Sequence, residues 1–246
     1  MTRSSQACVA GIVFALEIEA EAFAARVRDT RTLRGPVLTF HEGTLAGRPV
    51  AWVVGGAGVE RARMAATALV TGHAPSTLVS AGFAGGLAPG LSRGSVIHPS
   101  RSLRAGRAPI PLLPGPSAAG AIAGVDLVTV DAVVATAAAK RALHEATGAS
   151  IVDMETSAVA AVAVASGIPC ASVRIVSDAA GDELPADIAR LVAPQSAFRR
   201  AGAAFAAIGR KPATVATLWR LWENAVVDGR SLAAAIERMV GTLPAQ

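Results

Sequence analysis

"IVDMETSAVAAVAVASGIPCASVRIVSD", residues 151–178, reads as strand, helix, strand, with Asp153, Glu155, Arg174 and Asp178 set among apolar residues. "SIVDM" and "PCASVRIVS" are short β-branched runs. "TSAVAAVAVASG" has helical length and composition, and Gly167 closes it. Three acids and one base therefore fall where buried elements begin or end, the place where a fold can present polar groups over a rigid scaffold.

The same alternation extends outward in both directions. "CVAGIVFAL" predicts a first strand and "EIEAEAFAARV" a helix; "VLTFHEGTLAGRPVAWVVGG" predicts two strands turning at Ala46-Gly47. "VERARMAATALVTGH" predicts a helix ending near Gly72, "STLVSAG" a strand, "GFAGGLAPG" a glycine loop and "GSVIHPS" a short strand. Residues 101–124 are dense in Pro and Gly and predict a loop. "VDLVTV" predicts a strand, and "TAAAKRALHEATG" a helix closed by Gly148. Alternating strands and helices predict one α/β domain over residues 1–246, with a mixed, largely parallel central sheet flanked by helices and residues 185–246 as a helical C-terminal extension.

Composition supports a packed core. Of 246 residues, 52% are hydrophobic and 17% charged, which suits a chain that buries a large interior rather than a disordered one. The net charge of +5 comes from scattered arginines, and tyrosine is absent, so no basic stripe interleaved with aromatics points to nucleic acid. Cys8 and Cys170 lie in apolar strand-like runs and predict buried, reduced thiols of a cytoplasmic protein. The opening "MTRSSQACVAGIVFAL" imitates a secretion signal, yet Glu17, Glu19 and Glu21 follow at once, so it reads as the first strand. His41, His73, His98 and His144 are dispersed without paired spacing, and no metal site is expected.

In open α/β sheets the ligand crevice lies outside the carboxyl ends of the strands. Glu17 and Glu19 follow the first strand, the glycine loop follows "TLVSA", Glu155 follows "SIVDM", and Asp178 follows "SVRIVS". Four strand ends with polar cargo predict one pocket. A dinucleotide-binding oxidoreductase fits less well, because "GGAGVERA" lacks a third glycine and no acid ends a strand about twenty residues later.

"VDMETSAVAAVAVASGIPCASVRIVSD" resembles the signature of the nucleoside phosphorylase and nucleosidase superfamily, which includes the methylthioadenosine/S-adenosylhomocysteine nucleosidases. "GIVFALEIEAEAF" is similar to that family's opening strand and acidic turn, "GGAGVERA" to its first glycine loop, and "SAGFAGGLAPGLSRGSVI" to its second. The resemblance spans residues 10 to about 180. It implies cleavage of an N-glycosidic bond through a cationic sugar. Glu155 would bind the ribose hydroxyls, with Met154 packed on the sugar face. Asp178, steadied by Ser177, would serve the purine N7 as acid. Phe83, Ala84 and Gly85 of the glycine loop would contact the substrate.

The resemblance leaves the acceptor open. Glu19 and Arg174 match the nucleosidase positions that activate water, which favours hydrolysis. Phosphorolysis would use phosphate as co-substrate, held by the glycine loop with Arg93, Arg101 or Arg104. No other cofactor is expected. Phe83 replaces a small hydroxyl residue common in the loop, and Val133 and Val134 stand where the family carries an aromatic that stacks on the base. "KRALHEATGASIVDMETSAVA", the "LP" at 184–185 and "IGRKPATVATLWRLWENA" are similar to the hopanoid-associated branch, which implies adenosylhopane as substrate. Relatives in that branch show a serine and a histidine where Thr156 and Ser157 stand. Family membership also implies a homo-oligomer. Leu218, Trp219, Leu221, Trp222, Ala225 and Val226 form an apolar stripe at helical spacing, which suits a core or subunit contact, or a peripheral membrane contact at the inner membrane. A rival from another class is a protein that binds adenine nucleosides without turning them over.

Overall fold

Along the chain run β1 (Ala10–Phe14), α1 (Glu17–Ala24), β2 (Arg28–Arg34), β3 (Thr39–Leu45), β4 (Arg48–Val54), α2 (Val59–His73), β5 (Leu78–Gly86) and β6 (Val96–His98). Then come β7 (Arg101–Leu103), β8 (Ile110–Pro111), β9 (Ala121–Ala123), β10 (Asp126–Thr129), α3 (Ala137–Thr147), β11 (Ile151–Asp153), α4 (Thr156–Ala165), β12 (Cys170–Asp178) and α5 (Pro212–Thr242). The computed structural model describes residues 8–116, 120–184 and 212–244, with the side chains of α5 described from residue 224 onward.

The strands form one mixed sheet in the order β2-β3-β4-β1-β5-β11-β10-β7-β8, and β12 and β6 branch from it through β5. The middle is parallel: β1 pairs with β4 and β5, and β12 runs beside β5 along most of its length. The divergence occurs within β5. Its first residues, Leu78 to Ser80, pair with β1, whereas Gly85 and Gly86 pair antiparallel with β11.

Side-chain alternation on β1 explains the two layers. Ala10, Ile12 and Phe14 point to the side covered by α1 and the second half of α5, while Val13 points to the side covered by α2 and α4. On the first side Phe23 sits between Phe14 and Trp52, with ring centroids 5.3 and 5.4 Å apart. Leu232, Ile236, Met239 and Val240 of α5 are buried in this same cluster. Part of the segment expected as an extension therefore closes the main core. Arg48 fastens its end by donating to the carbonyls of Val240, Leu243 and Pro244.

Several local expectations are corrected. The glycine run after "LVSA" is strand through Gly86, not loop. Gly82 must lack a side chain there, because a Cβ would lie 2.6 Å from both Arg174 Nη1 and Glu19 Oε1. Residues 101–124 contain the short strands β7, β8 and β9, with Pro111 on the terminal strand, where a missing N–H is tolerated. β2, "RDTRTLR", is an exposed edge strand with no apolar alternation to announce it. Cys8 and Cys170 are buried and not disulfide-bonded, and burial pushes their thiols up to about 11 and about 12. Among the described residues no helix is long and apolar enough to cross a membrane.

Candidate active site

A cavity of about 530 Å³ opens where β1, β5, β11 and β12 end. Its lining includes Glu19, Phe83, Ala84, Gly85, Val133, Val134, Met154, Glu155, Ser177 and Asp178. Ten of the eleven residues singled out in the sequence meet there. Arg174 is the exception. It is fully buried behind the wall, between the sheet and α4, so its place in the catalytic group is corrected to a supporting one.

Arg174 anchors a polar knot. Its Nη2 lies 2.6 Å from Asp153 Oδ2, 2.6 Å from Ser80 Oγ and 2.7 Å from Thr156 Oγ1. Asp153 also accepts from Thr129 Oγ1 at 2.7 Å and from the Thr156 backbone N–H at 2.9 Å, which caps the start of α4. These bonds satisfy a carboxylate and a guanidinium that would otherwise be costly to bury. Asp153 touches the cavity wall, but its charge is spent on Arg174 and the two threonines.

Glu19 stands above this knot. Its Oε2 accepts the backbone N–H groups of Ala15 at 3.0 Å and Leu16 at 2.9 Å, and its Oε1 accepts that of Phe83 at 2.8 Å. The strand conformation of Phe83 thus serves the site through its backbone, with no hydroxyl involved. Burial pushes the Glu19 carboxyl up from its ordinary range, against the opposing pull of the Phe83 N–H, the Arg174 charge and the other two N–H groups. A carboxylate oxygen accepts about two hydrogen bonds, so Oε1 keeps a lone pair free.

Glu155 occupies the N-cap position of α4 without capping it. Its side chain turns to the loop before α2, where Oε1 accepts the Gly58 N–H at 2.7 Å, and Oε2 accepts that of Met154 at 3.2 Å. Burial first, then the neighbouring Asp153 charge, push its carboxyl up to about 7, while Arg174 and the Gly58 N–H pull the other way.

At the other end, Asp178 Oδ1 receives the Ser177 hydroxyl at 2.5 Å, and Ala84 O, 3.2 Å away, is that hydroxyl's alternative acceptor. Asp178 Oδ2 lies 2.5 Å from Lys140 Nζ, at an angle short of a directed hydrogen bond. The contact sets an ammonium against that oxygen. Val130, Ala132, Val133 and Val134 give this end an apolar wall.

The three arginines considered for an anion all hold carboxylates. Arg93 pairs with Asp228 of α5 at 2.5 Å on the cavity wall. Arg104 pairs with Asp131 at 2.8 Å and Arg101 with Asp126, and neither lines this cavity. Burial pushes the Asp228 carboxyl up against the pull of Arg93.

Sequence reading did not find Lys140 or the α5 contribution of Asn224, Ala225 and Asp228. Lys140 carried one faint signal, being one of two lysines among 21 arginines. Of the predicted apolar stripe, Leu218, Trp219, Leu221 and Trp222 lie outside the described side chains; Ala225 lines the cavity. Among the described residues no group of His, Cys, Asp and Glu is arranged to hold a metal ion.

Fold and cavity together define an α/β protein with a nucleoside-sized, carboxylate-lined pocket at its strand ends. Residues 9–211 match the model of the phosphorylase superfamily, and the chain belongs to that superfamily. A 5′-methylthioadenosine/S-adenosylhomocysteine nucleosidase of Pseudoalteromonas translucida is 34% identical over 87 residues, a match covering 35% of this chain and 37% of that relative. Among solved structures, the corresponding nucleosidase of Neisseria meningitidis, in complex with methylthio-immucillin-A, aligns with a TM-score of 0.73 at 17% identity, over 95% of this chain and 99% of that one. Futalosine hydrolase of Helicobacter pylori aligns with a TM-score of 0.69 at 16% identity, over 94% of this chain and 96% of that one. At these identities the two structures share the fold.

Proposed function

We propose that this protein hydrolyses the N-glycosidic bond of a purine nucleoside that carries a 5′ substituent. One observation carries the reading: Glu19, Glu155 and Asp178 face a single cavity of about 530 Å³, within the range of about 300–1,000 Å³ usual for small-molecule sites. In this reading Glu155 accepts the ribose hydroxyls and faces the sugar as it becomes cationic, with Met154 against the sugar. Val133 and Val134 pack on the base. Asp178, oriented by Ser177 and protonated from solvent before the bond breaks, passes that proton to purine N7 while the electrons of the C1′–N9 bond stay with the departing base. Glu19 takes a proton from a water at its free Oε1 lone pair, and that water's oxygen bonds C1′. Arg174 is a positioning residue, holding Asp153 and biasing Glu19 toward its ionised form.

Water as the acceptor is supported by the arginines. Arg93, Arg101 and Arg104 each carry a carboxylate partner, which leaves no unpaired guanidinium among those three for phosphate. The name of the Pseudoalteromonas relative supports an adenine nucleoside with a thio-linked 5′ group.

The test incubates pure protein with 5′-methylthioadenosine, S-adenosylhomocysteine, inosine and a 5′-alkyl adenosine, each with and without phosphate, and follows base release. Release at an equal rate without phosphate is expected. Strict phosphate dependence would overturn hydrolysis, and tight binding with no release from any substrate would establish a non-catalytic binding protein instead. The 5′-alkyl adenosine reports on the lipid-linked substrate implied by the hopanoid-associated resemblance. Preference for it over the thio-nucleosides carries that finer reading, and the reverse order removes it.

A further inference from the structure

Lys140 is fully buried on α3 and does not line the cavity. A lysine withdrawn from water needs oxygen partners for its ammonium. Three surround it: the carbonyls of Ala179 at 2.7 Å and Asp182 at 3.0 Å, and Asp178 Oδ2 at 2.5 Å. Two of these would suffice to pin the chain that follows β12. The third is the one oxygen of Asp178 that Ser177 leaves unclaimed. The chain beyond is tied in turn, because the Ala179 N–H donates to Asp182 Oδ2 at 2.8 Å. Lys140 thus fixes both the carboxyl and the turn that carries it, and it is the cation that pairs with that carboxyl.

We propose that Lys140 is the positioning residue of the leaving-group acid: from behind the wall its ammonium holds the Asp178 carboxyl at the base end of the cavity and stabilises the carboxylate left when the proton passes to the purine. The assignment rests on the reaction proposed above. In that step the proton on Asp178 moves to N7, the C1′–N9 bond breaks with its electrons on the base, and a neutral purine departs from a carboxylate facing an ammonium. Starting from the protonated acid, negative charge grows on Asp178 in the transition state, so a fixed positive charge beside it lowers the barrier of the proton-transfer step without touching the substrate. A compact ammonium suits a cradle of three converging oxygens better than the planar guanidinium that this chain uses elsewhere.

The discriminating experiment compares an adenine nucleoside with substrates whose leaving group needs no proton. An N7-methylated purine nucleoside already carries the positive charge, and a 4-nitrophenyl riboside departs as a stable phenolate. For Lys140→Met, kcat on the adenine nucleoside is expected to fall on the order of 10²-fold, the lower end of what general acid catalysis supplies, with KM nearly unchanged. On the activated substrates kcat is expected to stay within about threefold of the native enzyme, since no acid is required. Equal losses on both classes, or no loss on either, overturn the assignment. Should Lys140→Met not fold, as judged by circular dichroism, Lys140→Gln removes the charge while keeping a donor for the carbonyls, and is read with the same substrates. Failure of both variants to fold makes Lys140 a structural residue and also overturns it. If the native protein releases no base from any substrate, the reaction itself is refuted, and this is seen before a variant is made.

Discussion

The two ends of the cavity handle carboxylates in opposite ways. At the end proposed to hold the sugar, Glu19, Glu155 and Asp153 share one guanidinium, Arg174, which is tied directly to Asp153, so Glu19 and Glu155 are steadied mainly by backbone N–H groups. At the base end, Asp178 has a whole ammonium to itself. Dipoles orient a carboxylate without cancelling its charge, whereas a cation cancels it. Negative charge is left standing where a sugar would turn positive and is balanced where a base would take a proton. In the proposed reaction the same side-chain chemistry thereby does two jobs.

The largest expected effect is at the base end. Asp178→Asn should lower kcat/KM for an adenine nucleoside on the order of 10² to 10⁴-fold, measured by adenine release. An unchanged rate would break the comparison outright. Next, Arg174→Met should cost about 3–5 kcal/mol of stability in chemical denaturation, because it leaves Asp153 buried without its cation. A cost no larger than that of an exposed arginine would mean the knot is not what supports the sugar end.

A smaller effect comes through pH. The Glu155 carboxyl rises from an ordinary 4.5 to about 7 in the fold, so the folded chain holds that proton more tightly than the unfolded one. Stability should therefore decline as pH rises from about 4.5 to about 7 and level off above, a loss of a few kcal/mol from this group. Base release should instead rise through the same range as Glu155 ionises. Glu155→Gln should flatten the stability profile, raise Tm at pH 8 and abolish the rise in activity. Smallest is Val133→Phe, which adds a stacking surface at the base end worth about 0.5–1.5 kcal/mol, read as a several-fold lower KM.

The sequence made the sheet and the meeting of strand ends readable because β-branched runs, helical spacing and glycine stops are local signals. Glu19, Glu155 and Asp178 could be placed for that reason, since each lies at the end of a strand or a few residues past it. β2 was unreadable, being a ribbon of exposed polar residues whose strand state comes only from pairing with β3. The second half of β5 is hard to read because its glycines look like turn residues, whereas Gly82 lets Glu19 and Arg174 approach the backbone. Lys140 was missed for a different reason. A lysine on a helix normally reaches solvent, and only the return of residues 178–182 over α3 reveals the oxygens that bury it.

The helix α5 has a consequence for how this molecule is made. Its residues 224–228 complete the cavity wall, and its last turns fill the interior beside β1 and are latched by Arg48. A nascent chain emerging from the ribosome could pair β1, β4, β5 and β12 early, yet it would expose a greasy flank and an unroofed pocket until residue 243 had been synthesised. Substrate affinity should thus arrive abruptly once α5 has been made and has docked, and ribosome-stalled chains lacking α5 should be sticky, chaperone-bound and unable to hold a nucleoside.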